Sequence, residues 1–221
     1  SQVLPELGEE NTLQTTFHDF LNSKIREYRK VETFVDFIAR YYKYEETNSE
    51  LVKYKQSDEI IDDINEYLND IVNNASFIRD ITFSKVYDYT KEELNNMLHY
   101  KYSKFPLFLR IKEIATKLSY EVTRGNKGKI LSYQKLLKDN LNIKLDIKKI
   151  YYEFFKSKYS KVKVNEKDLN KLILLNKKIN YEDASLFVYV KGILEGFDYD
   201  KLIEQVVVDE AQDYPKIQYI I

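Results

Sequence analysis

The chain has 221 residues, a net charge of −1 from 35 basic and 36 acidic side chains, no cysteine and 5 glycines. The lack of cysteine excludes a disulfide scaffold and thiolate metal sites. Because phosphate-binding loops depend on glycine, a chain this poor in glycine is not expected to hold a complete nucleotide-binding core. No apolar run approaches the roughly 18 residues of a membrane span, and the first residues do not form a signal peptide, so we expect a cytoplasmic protein without membrane contact.

Apolar residues at helical spacing predict helices over most of the chain. The first two have apolar faces over 31–42 and 60–71, and another helix is expected over 131–141. Predicted first residues or N-caps of helices, in chain order, are Ser57, Thr90, Pro106, Asp146, Asn165 and Asn180. Gly125 and Gly196 are expected to follow the ends of two helices.

Signals for strands are few. Leu13 to Phe17 is short and β-branched, and Ile81 to Tyr89 is ambiguous. Gln205 to Val208 contains three consecutive valines after a long predicted helix, which is typical of a buried parallel strand. The C-terminal end therefore has α/β character, whereas the middle of the chain is expected to be all-α.

Two carboxylates follow the three valines directly. An apolar strand that ends in acids places them at the carboxyl edge of a sheet, where α/β proteins bind ligands. Hydrolysis of a nucleoside triphosphate needs one carboxylate that holds Mg²⁺ and another that polarises the attacking water, and Asp209 and Glu210 suit these roles. Gln212 and Asp213 then lie where they can sense the γ-phosphate. The alternative interpretation is an apolar strand that ends in an ordinary charged turn.

The string Asp209-Glu210-Ala211-Gln212-Asp213, after three valines, resembles motif II, the Walker B box, of UvrD-like superfamily 1 helicases. Upstream, Thr16-Phe17-His18 resembles motif Ib of the same superfamily. There this motif ends a strand of the first RecA-like domain and touches single-stranded nucleic acid. The order of the two motifs, with a large insertion between them, is that of the superfamily.

Three further stretches are similar to the HelD-type ATPases that act on bacterial RNA polymerase, namely 3–11, 103–110 and 181–184. The resemblance implies a mainly α chain in which a helical insertion domain, 22–175, is attached to a partial α/β RecA-like (P-loop NTPase) domain with few strands. The partial domain consists of 1–21 and 176–221. In this family the insertion presses on the polymerase.

The sequence contains no Gly-x-x-x-x-Gly-Lys-Ser/Thr phosphate loop. The stretch Gly125-Asn126-Lys127-Gly128 lacks that ending and is interpreted as a turn between helices. In the family the Walker A loop lies upstream of the stretch that this chain resembles. We therefore expect a fragment of an ATP- and Mg²⁺-dependent hydrolase, located between motif Ia and motif II and inactive by itself.

The charge is unevenly distributed. Residues 101–163 carry 17 basic and 5 acidic side chains, net +12, between flanks of net −9 over 1–100 and −4 over 164–221. Ten aromatic residues are interleaved with these lysines and arginines, which suits a phosphate backbone or stacked bases. The alternative is a solvated lysine-rich helix surface whose aromatic residues belong to the core. The two histidines, His18 and His99, are too few to indicate a metal site.

Three functions fit the sequence. The first is an ATPase that couples hydrolysis to the remodelling or release of RNA polymerase and nucleic acid. The second is a UvrD-class helicase that unwinds duplex DNA, and the third is a non-catalytic helical interaction module. The expected partners are RNA polymerase, DNA or both, and incomplete sheet edges favour self-association.

Overall fold

The computed structural model describes residues 14–43, 45–83, 87–197, 205–210, 212 and 214–221. In these residues the α-helices are α1 Phe17–Ile25, α2 Phe34–Lys43, α3 Glu45–Gln56, α4 Glu59–Asn74, α5 Lys91–Asn96, α6 Leu107–Thr123, α7 Lys127–Asp139, α8 Ile147–Ser157, α9 Tyr159–Val162, α10 Glu166–Ile173 and α11 Ala184–Glu195. A π-helical turn, Met97–Lys101, follows α5, and two 3₁₀ turns, Tyr181–Asp183 and Lys216–Tyr219, flank α11 along the chain. The prediction of a mainly helical chain is confirmed.

The described strands form one small hairpin. Strand β1, Ile81–Phe83, pairs antiparallel with β2, Tyr87–Tyr89, so that Ile81 lies opposite Tyr89. The hairpin covers one edge of the helical body, because Phe83 is buried and its ring packs edge-on against Tyr133 of α7 at 4.8 Å. The ambiguous segment 81–89 is thus extended at both of its ends.

Helix α11 occupies the centre of the core. Buried residues follow one another along almost its whole length, and it packs against α1, α4, α6 and α8. A helix that is apolar on all sides must be surrounded by other elements to remove that surface from water. The core is one contiguous cluster that extends from Leu21 in α1 to Ile217 near the C-terminus, across the predicted boundaries at 21/22 and 175/176.

Most of the predicted helix ends are confirmed. Thr90 and Glu93 form a capping box, and the side chains of Asp146 and Asn165 accept the N–H of the residue three positions later. Helix α6 begins directly after Pro106, and Arg124, whose backbone is left-handed, forms its C-cap. The predicted end near Gly125 is thus confirmed. Of the predicted turn 125–128, Gly125 and Asn126 connect α6 to α7, whereas Lys127 and Gly128 are the first residues of α7. Gly196, with φ of 104°, follows α11.

One predicted cap is wrong, and another has the predicted position without a capping hydrogen bond. The hydroxyl of Ser57 donates to the carbonyl oxygen of Tyr54 at 2.8 Å, so it completes the end of α3 while α4 begins one residue later than predicted. Asn180 is the N-cap residue of the 3₁₀ turn Tyr181–Asp183, but its side chain donates to Asp183 at 2.9 Å and caps no N–H. In both cases a polar group three residues away competes for the side chain.

Two predicted strands are also absent from the described residues. Gln14 to Thr16 do not form a strand, and Leu13 lies outside the described residues. Thr16 is instead the N-cap of α1, because its hydroxyl accepts the N–H of Asp19 at 3.1 Å. Residues 205–208 are neither a strand nor buried, and Val206 and Val207 are 71 % and 81 % exposed. A parallel strand requires hydrogen-bonded neighbours, and no described strand lies beside these valines.

Across the part of the chain that the structure describes, no helix combines the length and the apolar character that a bilayer crossing requires.

The surroundings of Asp63 predict how the free energy of unfolding depends on pH. Burial of this α4 carboxylate opposes its ionisation, but hydrogen bonds from Lys158 at 2.8 Å, from Lys161 at 2.5 Å and from the Tyr54 hydroxyl at 2.6 Å outweigh it and lower its pKa to about 2. The ionised Asp63 carboxylate therefore stabilises the folded state fully above 3.8, its pKa in the unfolded chain. This stabilisation is lost as the pH falls towards 2.

We expect Asp63→Asn to remove about 2 kcal/mol from the free energy of unfolding at pH 7 and to flatten its pH dependence between pH 4 and 2. Urea unfolding at several pH values measures this difference. Asp62→Asn, at the adjacent exposed position, is the control and should change stability little. Equal effects of the two substitutions would contradict the assignment.

Candidate functional site

The acids of the Walker B-like motif lie in an exposed turn after 205–208. Oδ1 of Asp209 accepts the backbone N–H of Glu210 at 3.0 Å, and Glu210 has a left-handed backbone with φ of 52°. The Gln212 side-chain amide donates to Oε2 of Glu210, so the predicted coupling residue and the predicted base are in direct contact. Asp213 lies outside the described residues.

The Thr-Phe-His motif forms the first turn of α1, and its three residues have different surroundings. Thr16 caps the helix, and the ring of Phe17 packs against Tyr214 with centroids 5.4 Å apart. His18 is held at the base of this turn, because its Nε2 lies 3.2 Å from the carbonyl oxygen of Glu32 and its ring stacks on Tyr181 at 6.4 Å. This half-buried histidine therefore has a clear packing role.

Contact between Phe17 and Tyr214 joins segments that are almost the whole chain apart. Helix α1 also packs on α11, and the turn Lys216–Tyr219 places Ile217 in the same core. The structure thus brings the Thr-Phe-His turn and the residue that follows the Asp-Glu-Ala-Gln-Asp string together. No hydrogen bond or ion pair among the described residues joins Asp209 or Glu210 to Thr16 or His18.

The motif acids fit Mg²⁺ in their chemistry. This ion prefers hard oxygen ligands and is usually held by one or two protein carboxylates together with phosphate oxygens and water. Asp209 and Glu210 supply two adjacent exposed carboxylates. Within the described ranges no group of three or more His, Asp or Glu side chains forms a metal cage.

A buried ion network lies behind the His18–Tyr181 contact and was not predicted. Arg40 of α2 donates to both carboxylate oxygens of Glu32, at 2.9 and 2.8 Å, and to Glu182 at 2.6 Å. The backbone N–H of Tyr181 donates to Glu32 at 3.0 Å. Although burial disfavours the charged guanidinium, its hydrogen bonds to Glu32 and the charge of Glu182 raise the pKa of Arg40 above its usual value.

The second half of the network is centred on Asp183. One carboxylate oxygen lies 2.7 Å from Nζ of Lys55, whose side chain is completely buried, and accepts the hydroxyl of Tyr151 at 2.6 Å. The other oxygen accepts the side-chain N–H of Asn180 at 2.9 Å. Nζ of Lys55 has no aligned hydrogen-bond acceptor, so its contact with Asp183 is an ion pair. Burial beside Asp183 raises the pKa of Tyr151 well above its usual range.

A sequence signal for this network existed. Lys55 follows Leu51 by four positions and so continues the apolar face of α3, and Glu182 and Asp183 directly precede the most apolar helix of the chain. A charged residue on an apolar helix face needs a buried partner of opposite charge. Which acid pairs with which cation depends on the packing of α2, α3, α8 and α11.

The ten aromatic residues of the basic segment divide into buried, half-buried and exposed groups. Buried members form the core, as the alternative interpretation proposed: Tyr133, Tyr151, Tyr152, Phe154 and Phe155. Tyr102 and Phe108 are half-buried, and Phe105, Tyr120 and Tyr159 are exposed. On α7, four lysines are exposed, namely Lys127, Lys129, Lys135 and Lys138. We call these four lysines the α7 basic face; it remains a candidate surface for a polyanion.

Comparisons with protein-family models, with curated proteins and with solved structures found no match for this chain.

Removal of Lys55 tests the energetic role of the network. We expect Lys55→Ala to lower the free energy of unfolding by about 3–5 kcal/mol, because Asp183 would keep a buried charge without its cation. Urea denaturation measures the loss. Lys53→Ala, on the same helix with a side chain 71 % exposed, is the matched control and should cost under about 1 kcal/mol. If both variants were equally stable, the network would not be a major structural constraint.

Proposed function

We propose that this chain is part of an ATP-dependent, superfamily 1 helicase-like protein of the HelD type. The whole protein couples ATP hydrolysis to the remodelling or release of RNA polymerase and its nucleic acid. The observation that carries the proposal is the contact of Phe17 with Tyr214 at 5.4 Å. An inserted domain must leave its parent domain and return to it at one place, and here the two motif-bearing segments meet at one end of a helical body.

The exposure of the three valines also supports the proposal. Val206, Val207 and Val208 are 71 %, 81 % and 42 % exposed, an unusual state for consecutive valines that precede a charged turn. A strand of this composition is stable when other strands flank it on both sides. In the proposed protein, strands of the RecA-like sheet that are not among the described residues provide those neighbours.

The catalytic roles follow from the motif. Bound Mg²⁺ would neutralise charge on the transferred phosphoryl group, and Asp209 is the residue that would hold it. Glu210 accepts a proton from the attacking water and orients it. Gln212 contacts Glu210, so a change at the γ-phosphate that moves the Glu210 carboxylate also moves Gln212. Asp213 is proposed to share this coupling role.

Substitution of Glu210 tests the catalytic proposal in the longest form of the protein that its gene encodes. We expect Glu210→Gln to reduce kcat for ATP hydrolysis by at least about 100-fold, with ATP affinity retained, because the general base is lost and the Mg²⁺ ligand is not. Glu92→Gln, at an exposed position of α5, is the control. Wild-type turnover by Glu210→Gln would refute the assigned role.

The 221 residues by themselves should not turn over ATP. They contain no phosphate-loop lysine and no glycine-rich cradle for the phosphates, so the carboxylates alone cannot position the nucleotide. ATP-dependent release of phosphate by the purified 221-residue chain, abolished by Glu210→Gln, would overturn this expectation.

The polymerase-directed function and the UvrD-class alternative differ in what stimulates the enzyme. RNA polymerase should increase ATP turnover in the first case, whereas strand separation of duplex DNA should accompany turnover in the second. The same assay pair, polymerase-stimulated ATPase and DNA unwinding, distinguishes them.

The third candidate, a non-catalytic interaction module, is favoured by the α7 basic face. If this surface binds the phosphate backbone of single-stranded DNA, each lysine that contacts a phosphate contributes about 0.7 to the slope of log K against log salt. We expect the double variant Lys135→Gln/Lys138→Gln to weaken DNA binding and to reduce that slope by about 1.4.

Fluorescence anisotropy over a salt series measures both quantities. The control is Lys167→Gln/Lys177→Gln, which removes two exposed lysines outside α7. Binding that is insensitive to salt, or an equal loss in the control, would rule out the α7 basic face as the DNA-binding surface.

A further inference from the structure

A cationic pocket lies beside the buried ion network and shares Tyr151 and Asp183 with it. It is bounded by the α1–α2 connection, α8, α10, α11 and the segment between α10 and α11. Three basic side chains line it, Arg29, Lys148 and Lys178, and its walls include Leu172 and Phe187. Counted with its open mouth, it encloses about 280 Å³. We call it the Arg29–Lys148 pocket.

One buried hydrogen-bond donor in the pocket has no acceptor. Nη2 of Arg29 and Nζ of Lys148 both donate to the same acceptor, the carbonyl oxygen of Leu174, at 3.2 and 3.3 Å. The other terminal nitrogen of Arg29, Nη1, is buried and has no hydrogen-bond acceptor. A buried charged donor without an acceptor costs free energy, and an acceptor that enters the pocket would recover it.

The two cations also repel each other. Burial and the charge of Arg29 lower the pKa of Lys148, and Asp146 offsets this only in part. Like charges held together in a half-buried site favour an anion that neutralises both.

The carboxylates near the pocket are already engaged. Asp183 lines it, but its oxygens are occupied by Lys55, Tyr151 and Asn180. Asp36 pairs with Lys178 at 2.7 Å at the exposed rim, and the carboxylate of Asp146 caps α8. The side chains of Arg29 and Lys148 thus donate to a backbone carbonyl oxygen, and no described hydrogen bond joins them to a carboxylate.

We propose that the Arg29–Lys148 pocket binds a single phosphate group, held by Arg29 and Lys148, with the Lys178–Asp36 ion pair at its rim. A tetrahedral oxyanion presents acceptors in several directions and can bridge a guanidinium and an ammonium that belong to different elements. The site is independent of the motif acids.

Inorganic phosphate is the first probe. We expect it to raise the Tm of the 221-residue protein saturably, beyond the effect of chloride at equal ionic strength, because a ligand that binds only the folded state stabilises it. AMP, compared at the same concentrations, distinguishes free phosphate from a phosphate group carried on a larger molecule. A stronger effect of AMP would assign the pocket to phosphomonoesters, and a weaker one to free phosphate.

Matched variants localise the binding. Lys148→Gln should weaken phosphate binding by at least about tenfold, as expected when a charge-assisted hydrogen bond is lost. Lys149→Gln, the neighbouring exposed lysine with the same change of charge, should bind phosphate as the wild type does. Equal losses in both variants, or no phosphate effect beyond that of chloride, would overturn the proposal.

An NMR titration of the wild-type protein tests the site without any substitution that could impair folding. Phosphate should shift the backbone amide signals around Leu174 and Lys148 and leave those of the α7 basic face unchanged. Shifts confined to α7 would show that phosphate binds only the exposed lysines and would refute the proposed pocket.

Discussion

The buried ion network around Arg40, Lys55 and Asp183 is the constraint on which the arrangement of the helices depends. It holds α2, α3, α8 and the start of α11 together, and apolar packing alone could not specify which of these helices meet. Burial of five charged side chains is costly unless each finds its partner, so alternative packings that separate them are strongly disfavoured. The network thus disfavours packings that would separate these charges, whereas the apolar surface supplies most of the driving force.

This constraint extends to the end of the molecule that carries the motifs. Glu32 joins Arg40 to the segment before α11, where Val31 and Ile179 form a parallel bridge, and its carbonyl oxygen also meets His18. His18 therefore connects the Thr-Phe-His turn to the rigid core. In the proposed ATPase, a movement of the RecA-like domain at Phe17 and Tyr214 would act on the helical body as a unit, since the contacts between them are continuous.

The near-neutral total charge conceals cations in three different physical settings. Lys55 is buried and paired, the α7 basic face is exposed to solvent, and Arg29 and Lys148 share one carbonyl oxygen in a half-buried pocket. These settings predict different behaviour: a structural role, a salt-dependent surface and a discrete anion site. Sequence counts of basic residues cannot separate them, because burial and pairing depend on contacts between elements that are distant in the chain.

The sequence by itself determined the helical class and most of the helix ends. Caps such as Thr90, Asp146 and Asn165 act within one turn, so a few neighbouring residues contain all the necessary information. It also singled out Asp209 and Glu210, although their catalytic roles stay a prediction. Only the tertiary structure decided that Val206 and Val207 are exposed, that Phe17 meets Tyr214 and that Lys55 pairs with Asp183. Strand burial, ring contacts and ion pairs of this kind depend on partners far away in the chain, and local periodicity carries no information about those partners.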